Sequence, residues 1–144
     1  MTKYSELSDE RLKALADADD TDALYETAVR FKAAGNESEE RKFLAFAAQL
    51  GHPDAAVALG AFFERDGDAS KAAELYRKGL RGGNTDIAAR LAALIMDEDE
   101  PGALDILVDS AMLGNEESIS MLEKFYAQTG DEQEERFWKE KRSV

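Results

Sequence analysis

The sequence predicts an all-α solenoid in which about four helix pairs are stacked behind one N-terminal capping helix. Glycines recur at a fixed interval, since Gly51, Gly83 and Gly114 lie 32 and 31 residues apart and an acid follows each of them three residues later. Between these glycines the apolar residues recur at steps of three and four, which is the spacing of a helix with one buried face. No stretch alternates apolar and polar residues as a half-buried strand would. An interval of this length is typical of stacked-repeat architectures.

The individual elements follow from helix start and stop signals. Ser8 stands before two acids, as helix caps do, and its helix is predicted to form half a repeat that caps the stack. Pro53 suits the first turn of a helix, and Gly51 suits the left-handed residue that ends the helix before it. Helices are predicted over residues 8–18, 21–34, 37–50, 53–65, 69–81, 85–97, 101–113, 115–128 and 131–142. They form one domain, 1–144, with the capping helix at 8–18 and repeat units at 21–51, 53–83, 85–114 and 115–142.

The stretch from Ala47 to Gly83 carries a recognisable pattern of small and aromatic residues. The pattern consists of Gly51, Ala55, Leu59, Gly60, Phe63, Ala72, Leu75, Tyr76, Lys78 and Gly83. It resembles the Sel-one-like subclass of tetratricopeptide-like repeats, although Gly79 and Leu80 stand where two alanines are usual. The resemblance implies a right-handed superhelix of antiparallel helix pairs that serves protein–protein contacts rather than chemistry.

One glycine of this pattern makes a physical prediction of its own. Gly60 lies inside a predicted helix, where glycine costs about 0.5–1 kcal/mol relative to alanine. We expect the close approach of a neighbouring helix to offset this cost, with Phe63 and Tyr76 filling the adjacent layer. The other aromatic residues also fall at the spacing of a repeat core, and core packing is predicted for nearly all of them.

Composition and charge exclude several classes of function. The chain has 31 acidic and 18 basic residues and a net charge of −13, which disfavours nucleic acid and anionic membranes as partners. No apolar run approaches the ~20 residues of a membrane span, and the N-terminus lacks a signal-peptide pattern, so a cytoplasmic location is expected. There is no cysteine, and the single histidine, His52, is predicted to be a surface turn residue. We therefore expect neither a metal nor a cofactor.

The resemblance also implies which residues would meet a partner. In repeats of this type the first helix of each pair presents the concave surface through positions between its packing residues. Carried over to this chain, the partner-binding positions are Asp22, Tyr25, Val29, Lys32, Asp54, Val57, Ala61, Arg65, Ala89 and Ala93. Tyr25, Lys32 and Arg65 are the expected anchors, because tyrosine and arginine dominate interface energetics.

An acidic ladder runs through the same set of helices. Asp22, Asp54, Asp86 and Glu117 recur at the same place in each repeat and would line one rim of the groove. An alternative interpretation is structural, since acids in the first turn of a helix stabilise that turn by themselves.

These observations predict a monomeric protein-interaction module rather than an enzyme. It would act as an adaptor or an inhibitor-type binder that holds a segment of another, basic protein in its groove. Two alternatives remain open at this point. One is a self-assembling structural protein, and the other is a hydrolase-type enzyme that uses a pair of carboxylates in the groove.

Overall fold

The computed structural model describes residues 3–142, and in this range the chain is helical with short turns and contains no strand. Its nine α-helices are α1 (Asp9–Asp17), α2 (Thr21–Ala33), α3 (Glu37–Gln49), α4 (Pro53–Arg65), α5 (Ala69–Arg81), α6 (Ala88–Ile95), α7 (Glu100–Met112), α8 (Glu116–Thr129) and α9 (Glu132–Arg142). Two short 3-10 helices, Tyr4–Glu6 and Thr85–Ile87, precede α1 and α6. The all-α prediction is confirmed, and each predicted helix corresponds to an observed one.

Side-chain caps define most of the helix starts. In each case the capping side chain accepts the backbone N–H three residues further on, which satisfies a donor that the helix start leaves free. The caps are Ser8, Asp20, Asn36, His52, Asp68, Asp99, Asn115 and Asp131. At the other end of α3, Gly51 has a φ of 97°, which glycine adopts without strain. The recurring glycines of the sequence therefore mark the places where helices end.

The start of α6 differs from the predicted helix over 85–97. Asn84 occupies the position at which the other repeats carry a cap, but its side-chain amide donates to Asp54 Oδ1 at 2.9 Å. The chain enters α6 through the 3-10 turn at Thr85–Ile87, and Ile87 offers no capping side chain. Because the cap is used elsewhere, the α-helix begins about one turn later than the apolar spacing suggests.

Helices α4 and α5 form an antiparallel pair whose contact explains two glycines. A Cβ atom added to Gly60 of α4 would lie 2.7 Å from two ring carbons of Tyr76 in α5. A Cβ atom added to Gly79 of α5 would overlap the side chain of Val57 in α4. The predicted close approach at Gly60 is thus confirmed. Tyr76 makes this contact and is fully buried, whereas Phe63 is only half-buried.

The described chain divides into two compact units, with the boundary after Asn84. The N-terminal unit contains α1–α5 and the C-terminal unit contains α6–α9. In the N-terminal unit, Leu12 and Ala16 of α1 belong to the same buried cluster as Leu44 and Ala47 of α3. This is the packing expected of a capping helix that repeats the apolar spacing of α3.

The C-terminal unit has a core of small and branched side chains. Ser118 Oγ of α8 donates to Ser110 Oγ of α7 at 3.0 Å inside this core. Trp138 of α9 is buried, and its indole N–H has no hydrogen-bond partner among the described residues. The adjacent Phe137 is half exposed, as is Phe46 of α3, so core packing is wrong for these two aromatic residues. Neighbouring residues on a helix point about 100° apart, so Phe137 and Trp138 cannot both face the core.

Candidate partner-binding face

The predicted binding residues of the N-terminal unit lie on α2 and α4, and we call the surface that they form the α2–α4 face. Its members are Asp22, Tyr25, Val29 and Lys32 of α2 and Asp54, Val57, Ala61 and Arg65 of α4. All eight are exposed or half-buried. Val57 also packs against Gly79, so part of its side chain is committed to the contact between α4 and α5.

His52 joins the two repeats that carry this face. Its Nδ1 atom accepts the backbone N–H of Ala55 at 3.2 Å and caps α4. This leaves Nε2 as the protonated nitrogen, which donates to Asp22 Oδ1 of α2 at 3.0 Å. The ring also stacks on Tyr25, with centroids 4.5 Å apart and an interplanar angle of 17°. His52 lies in the turn before α4, as predicted, but its side chain packs against α2 and is only 9% exposed, so it is not a surface side chain.

The next repeat uses the same kind of hydrogen bond. Asn84 donates to Asp54, and the two residues are separated by 30 positions, as His52 and Asp22 are. Two acids of the predicted ladder, Asp22 and Asp54, therefore connect successive repeats, and both residues remain exposed. Asp54 also affects its surroundings, since burial first and then the charge of Asp54 raise the pKa of Tyr25 above its ordinary value.

A cleft opens where α2, α3 and α4 meet, and three predicted residues line it. Its volume is about 420 Å³. The lining residues are Lys32, Gly35, Glu37, Glu40, Ala58, Ala61, Phe62 and Arg65. The structure therefore brings together Lys32 of α2 with Ala61 and Arg65 of α4. These two residues follow Lys32 by 29 and 33 positions in the sequence. Small side chains at Ala58 and Ala61 leave the space that the cleft occupies.

The guanidinium group of Arg65 is held in place at the edge of this cleft. It lies 2.5 Å from Glu37 Oε1 and 3.5 Å from Asp66 Oδ1. Its central carbon is also 4.9 Å from the centroid of the Phe62 ring, which is a cation–π distance. Arg65 was predicted as an anchor for a partner, but its charge is already paired with two acids of this chain.

The sequence interpretation missed one residue of the cleft, Glu40 of α3. The residue is only 8% exposed, and no donor among residues 3–142 forms a hydrogen bond or an ion pair with its carboxylate. The signal was present in the repeat, because Glu40 stands four residues after its cap, as Ala72 and Ala103 do after theirs. Both of those alanines are fully buried. Glu40 is thus an acid at a core position of the repeat.

The predicted residues of the C-terminal unit differ from each other. Ala93 is exposed and could meet a partner. Ala89 is only 1% exposed, so its prediction as a binding residue is wrong. The reason is that α6 is short and apolar on most sides, with Ala88, Ala89, Leu91 and Ala92 all buried. The alternation of packing and surface positions assumed for a longer amphipathic helix does not apply there.

A second cleft lies outside the predicted face, between α1, α2 and α3. It has a volume of about 390 Å³ and is lined mainly by apolar side chains, including Leu12, Phe31 and Phe43. Arg30 also lines this cleft and pairs with Asp9 at 2.5 Å.

In the C-terminal unit, Leu113 after α7 is 79% exposed.

Comparisons with known proteins do not assign the chain to a family. A scan against protein-family models gives no match, and a search of the curated proteins gives none either. No group of three or more His, Cys, Asp and Glu side chains within residues 3–142 is arranged to hold a metal ion. In the same range no helix is both long enough and apolar enough to cross a membrane. The resemblance to Sel-one-like repeats stays a prediction.

Proposed function

We propose that this chain is a protein-interaction module, an adaptor or an inhibitor-type binder, whose α2–α4 face holds a segment of a partner protein. The observation that carries the proposal is the cleft of about 420 Å³ at the junction of two repeats. It combines small apolar side chains with a few charged ones, as ligand-binding clefts of proteins commonly do. Lys32, Ala61 and Arg65 were singled out for binding from the sequence and line this one cleft.

The partner segment that we propose is basic. The chain carries 31 acidic against 18 basic residues, and Glu40 lines the cleft without a cationic partner among the described residues. The positive charge of Arg65 is already neutralised by Glu37 and Asp66. Complementary charge of this kind favours the correct partner and accelerates association.

The proposal includes the right-handed superhelix of helix pairs that the resemblance implies. Two features support it within the N-terminal unit. One is the antiparallel pairing of α4 with α5 through Gly60 and Tyr76. The other is the hydrogen bond from the turn of one repeat to the first helix of the preceding repeat, which His52 and Asn84 both make.

The experiment that tests the binding function fills the cleft. The Ala61→Arg variant places a bulky cation in it, and Ala45→Arg adds the same side chain at an exposed position of α3 as a matched control. A displayed library of random peptides is selected on the wild-type protein. We expect lysine- and arginine-rich peptides whose binding is lost with Ala61→Arg and kept with Ala45→Arg. Equal binding by wild type and folded Ala61→Arg would contradict the proposal.

A salt series on the selected peptides tests the electrostatic part. Affinity should fall as ionic strength rises, since the Debye length shortens to about 8 Å at physiological salt. An affinity that does not change with salt would argue that the partner is recognised by shape and apolar contact instead.

One observation favours self-assembly as a second candidate function. Met112 and Leu113, at the end of α7, are 54% and 79% exposed and adjacent in sequence. Exposed apolar clusters of this kind mark contact surfaces in many proteins. Light scattering over a range of protein concentrations distinguishes the candidates. We expect a monomer, and a stable dimer or larger species that Leu113→Lys dissociates would favour self-assembly.

A further inference from the structure

We infer that Glu40 makes the cleft of the α2–α4 face a subsite for a single lysine or arginine side chain of the partner. The inference rests on the proposed function and names the chemistry that the cleft would recognise. Its basis is a residue that is more than nine-tenths buried, lines the cleft and has no cationic or hydrogen-bonding partner for its carboxylate among the described residues.

An acidic residue at a buried position is rarely found without a charge partner. Removing a charged group from water is compensated only where hydrogen bonds or an opposite charge replace the lost solvation. The start of α3 offers part of this compensation, since the helix dipole favours an acid in its first turn. No side chain of residues 3–142 supplies the rest, although Arg41 and Arg65 both lie nearby on Phe62. Each of these arginines is paired with Asp66 instead.

The repeat itself shows that the acid is not needed for packing. The equivalent positions in the next two repeats are Ala72 and Ala103, and both are buried without loss of the helix pair. An alanine at position 40 would fit the same pattern. Glu40 is therefore an acid where the next two repeats have alanine, and its position puts a negative charge at the wall of the cleft.

The shape of the cleft fits one long cationic side chain. Its volume of about 420 Å³ is at the lower end of the range for ligand sites, which suits a side chain better than a folded ligand. The aliphatic part would lie along Ala58 and Ala61, and the charged end would reach Glu40. A metal ion is a poorer occupant, because Glu37 is already paired with Arg65 and a single carboxylate does not complete a coordination shell.

Lys32 is the chain's own competitor for this carboxylate. It is exposed at the edge of the cleft, and its ammonium group is not within ion-pair distance of an acid among residues 3–142. A cation that enters the cleft is repelled by this positive charge. Replacing Lys32 by glutamine should therefore tighten the binding of a cationic side chain, which is the opposite of what removal of an anchor would do.

The test uses a defined probe. An acetylated and amidated peptide with one lysine between alanines is titrated to millimolar concentration, and a peptide with norleucine in place of lysine serves as its uncharged match. Amide NMR signals report binding. We expect the lysine peptide to shift the signals of Ala58, Ala61 and Phe62 and the norleucine peptide to leave them unchanged. No shift with the lysine peptide would overturn the inference.

Variants locate the carboxylate that is responsible. Glu40→Gln should weaken the lysine peptide at least about tenfold, because it removes one partner of a buried charge pair. Glu39→Gln, which removes the same charge from the neighbouring residue, should leave binding unchanged, and Lys32→Gln should strengthen it. Glu40→Asp keeps the charge and serves if the glutamine variant does not fold, with weaker binding than wild type expected. Wild-type affinity in folded Glu40→Gln, or in Glu40→Asp where the glutamine variant does not fold, would overturn the inference.

The failure of this inference and the failure of the proposed function give different results. If library peptides lose binding with Ala61→Arg but not with Glu40→Gln, the face binds a partner and the lysine subsite is wrong. If the single-lysine peptide depends on Glu40 while no library peptide uses the face, the subsite is present and the proposed partner segment is wrong.

Discussion

The two compact units carry buried side chains of different size at equivalent positions of their helix pairs. Gly60 and Tyr76 occupy the eighth position after the cap in α4 and α5, and both are buried in the N-terminal unit. In the C-terminal unit the corresponding residues are Ala92 and Leu107, which are fully buried. The first helix of the pair thus gains a methyl group, from Gly60 to Ala92. The second helix has a smaller side chain, Leu107 in place of Tyr76. The comparison teaches that the contact conserves volume rather than a particular residue.

A second pair of positions shows the same exchange. Val57 faces Gly79 in the N-terminal unit, and the equivalent residues of the C-terminal unit are Ala89 and Ser110. The side chain on the first helix becomes smaller and the one on the second helix becomes larger. Ser110 brings a hydroxyl group into the core, and Ser118 satisfies it through a hydrogen bond of 3.0 Å.

Overpacking at Gly60 breaks the comparison outright. Gly60→Leu forces a branched side chain into the ring of Tyr76, which a Cβ atom alone would already approach to 2.7 Å. Overpacking of this kind should lower the free energy of unfolding by more than 1 kcal/mol and about 3 kcal/mol at most. Urea unfolding followed by circular dichroism measures it. Ala45→Leu, at an exposed site on α3, is the control, and an unchanged midpoint for Gly60→Leu would contradict the packing account.

A double-mutant cycle sharpens the comparison by copying one unit into the other. Gly60→Ala should be destabilising through the Tyr76 ring, and Tyr76→Leu should cost about 2–4 kcal/mol through lost volume and the lost hydrogen bond to Glu64. Together they recreate the combination of Ala92 with Leu107. We expect the double variant to be more stable than the sum of the two by at least about 1 kcal/mol. Strict additivity in denaturant unfolding would show that the two positions do not compensate each other.

Most of the helix positions could be predicted from the sequence. Helix positions followed from local signals, since a capping side chain, a first-turn proline such as Pro53 and a terminal glycine such as Gly51 act within a few residues. The predicted start of α6 was wrong because the side chain of Asn84 donates a hydrogen bond to Asp54 in the preceding repeat and does not cap the helix. This hydrogen bond forms only when the folded chain brings the two residues together, so the local sequence does not predict it.

Copying the other pair of positions should give a smaller effect. Gly79→Ser copies Ser110, the residue at the equivalent position of α7. It places a side chain against Val57 and should destabilise the N-terminal unit by about 1–2 kcal/mol. Adding Val57→Ala should recover part of this loss by making room for the new side chain. The recovery is read from the midpoints of thermal unfolding. A double variant less stable than Gly79→Ser alone would mean that Val57 contributes more through its own burial than it costs through contact.

The hydrogen bond from His52 distinguishes the N-terminal unit in another way. His52→Ala removes the cap of α4, the bond to Asp22 and the ring stacked on Tyr25, and should cost about 1 kcal/mol. The pKa of Tyr25, raised first by burial, should move down towards its ordinary value because the ring becomes more exposed. An absorbance titration at alkaline pH, compared with Tyr25→Phe, measures the shift. A Tyr25 titration that is unchanged would show that His52 does not shield the ring.

The candidate site was harder to predict than the fold, and Glu40 shows why. The resemblance supplied positions on the first helix of each pair, and Lys32, Ala61 and Arg65 do meet in one cleft. Glu40 belongs to the second helix, where the repeat places packing residues, so an argument from surface positions passes over it. Ala89 failed for the converse reason, because a position that is open in one unit is buried in the other.

The smallest expected effect concerns this residue and runs in the opposite direction from the others. Glu40→Ala copies Ala72 and Ala103 and removes an unpaired acid from a buried position of the repeat, so the protein should become more stable by about 0.5–1 kcal/mol. A gain of stability at a residue that we propose for binding would be the pattern of a site kept for function at the expense of the fold. Thermal unfolding of Glu40→Ala beside Glu39→Ala measures the difference. A loss of stability confined to Glu40→Ala would instead mean that the carboxylate supports the fold of the N-terminal unit.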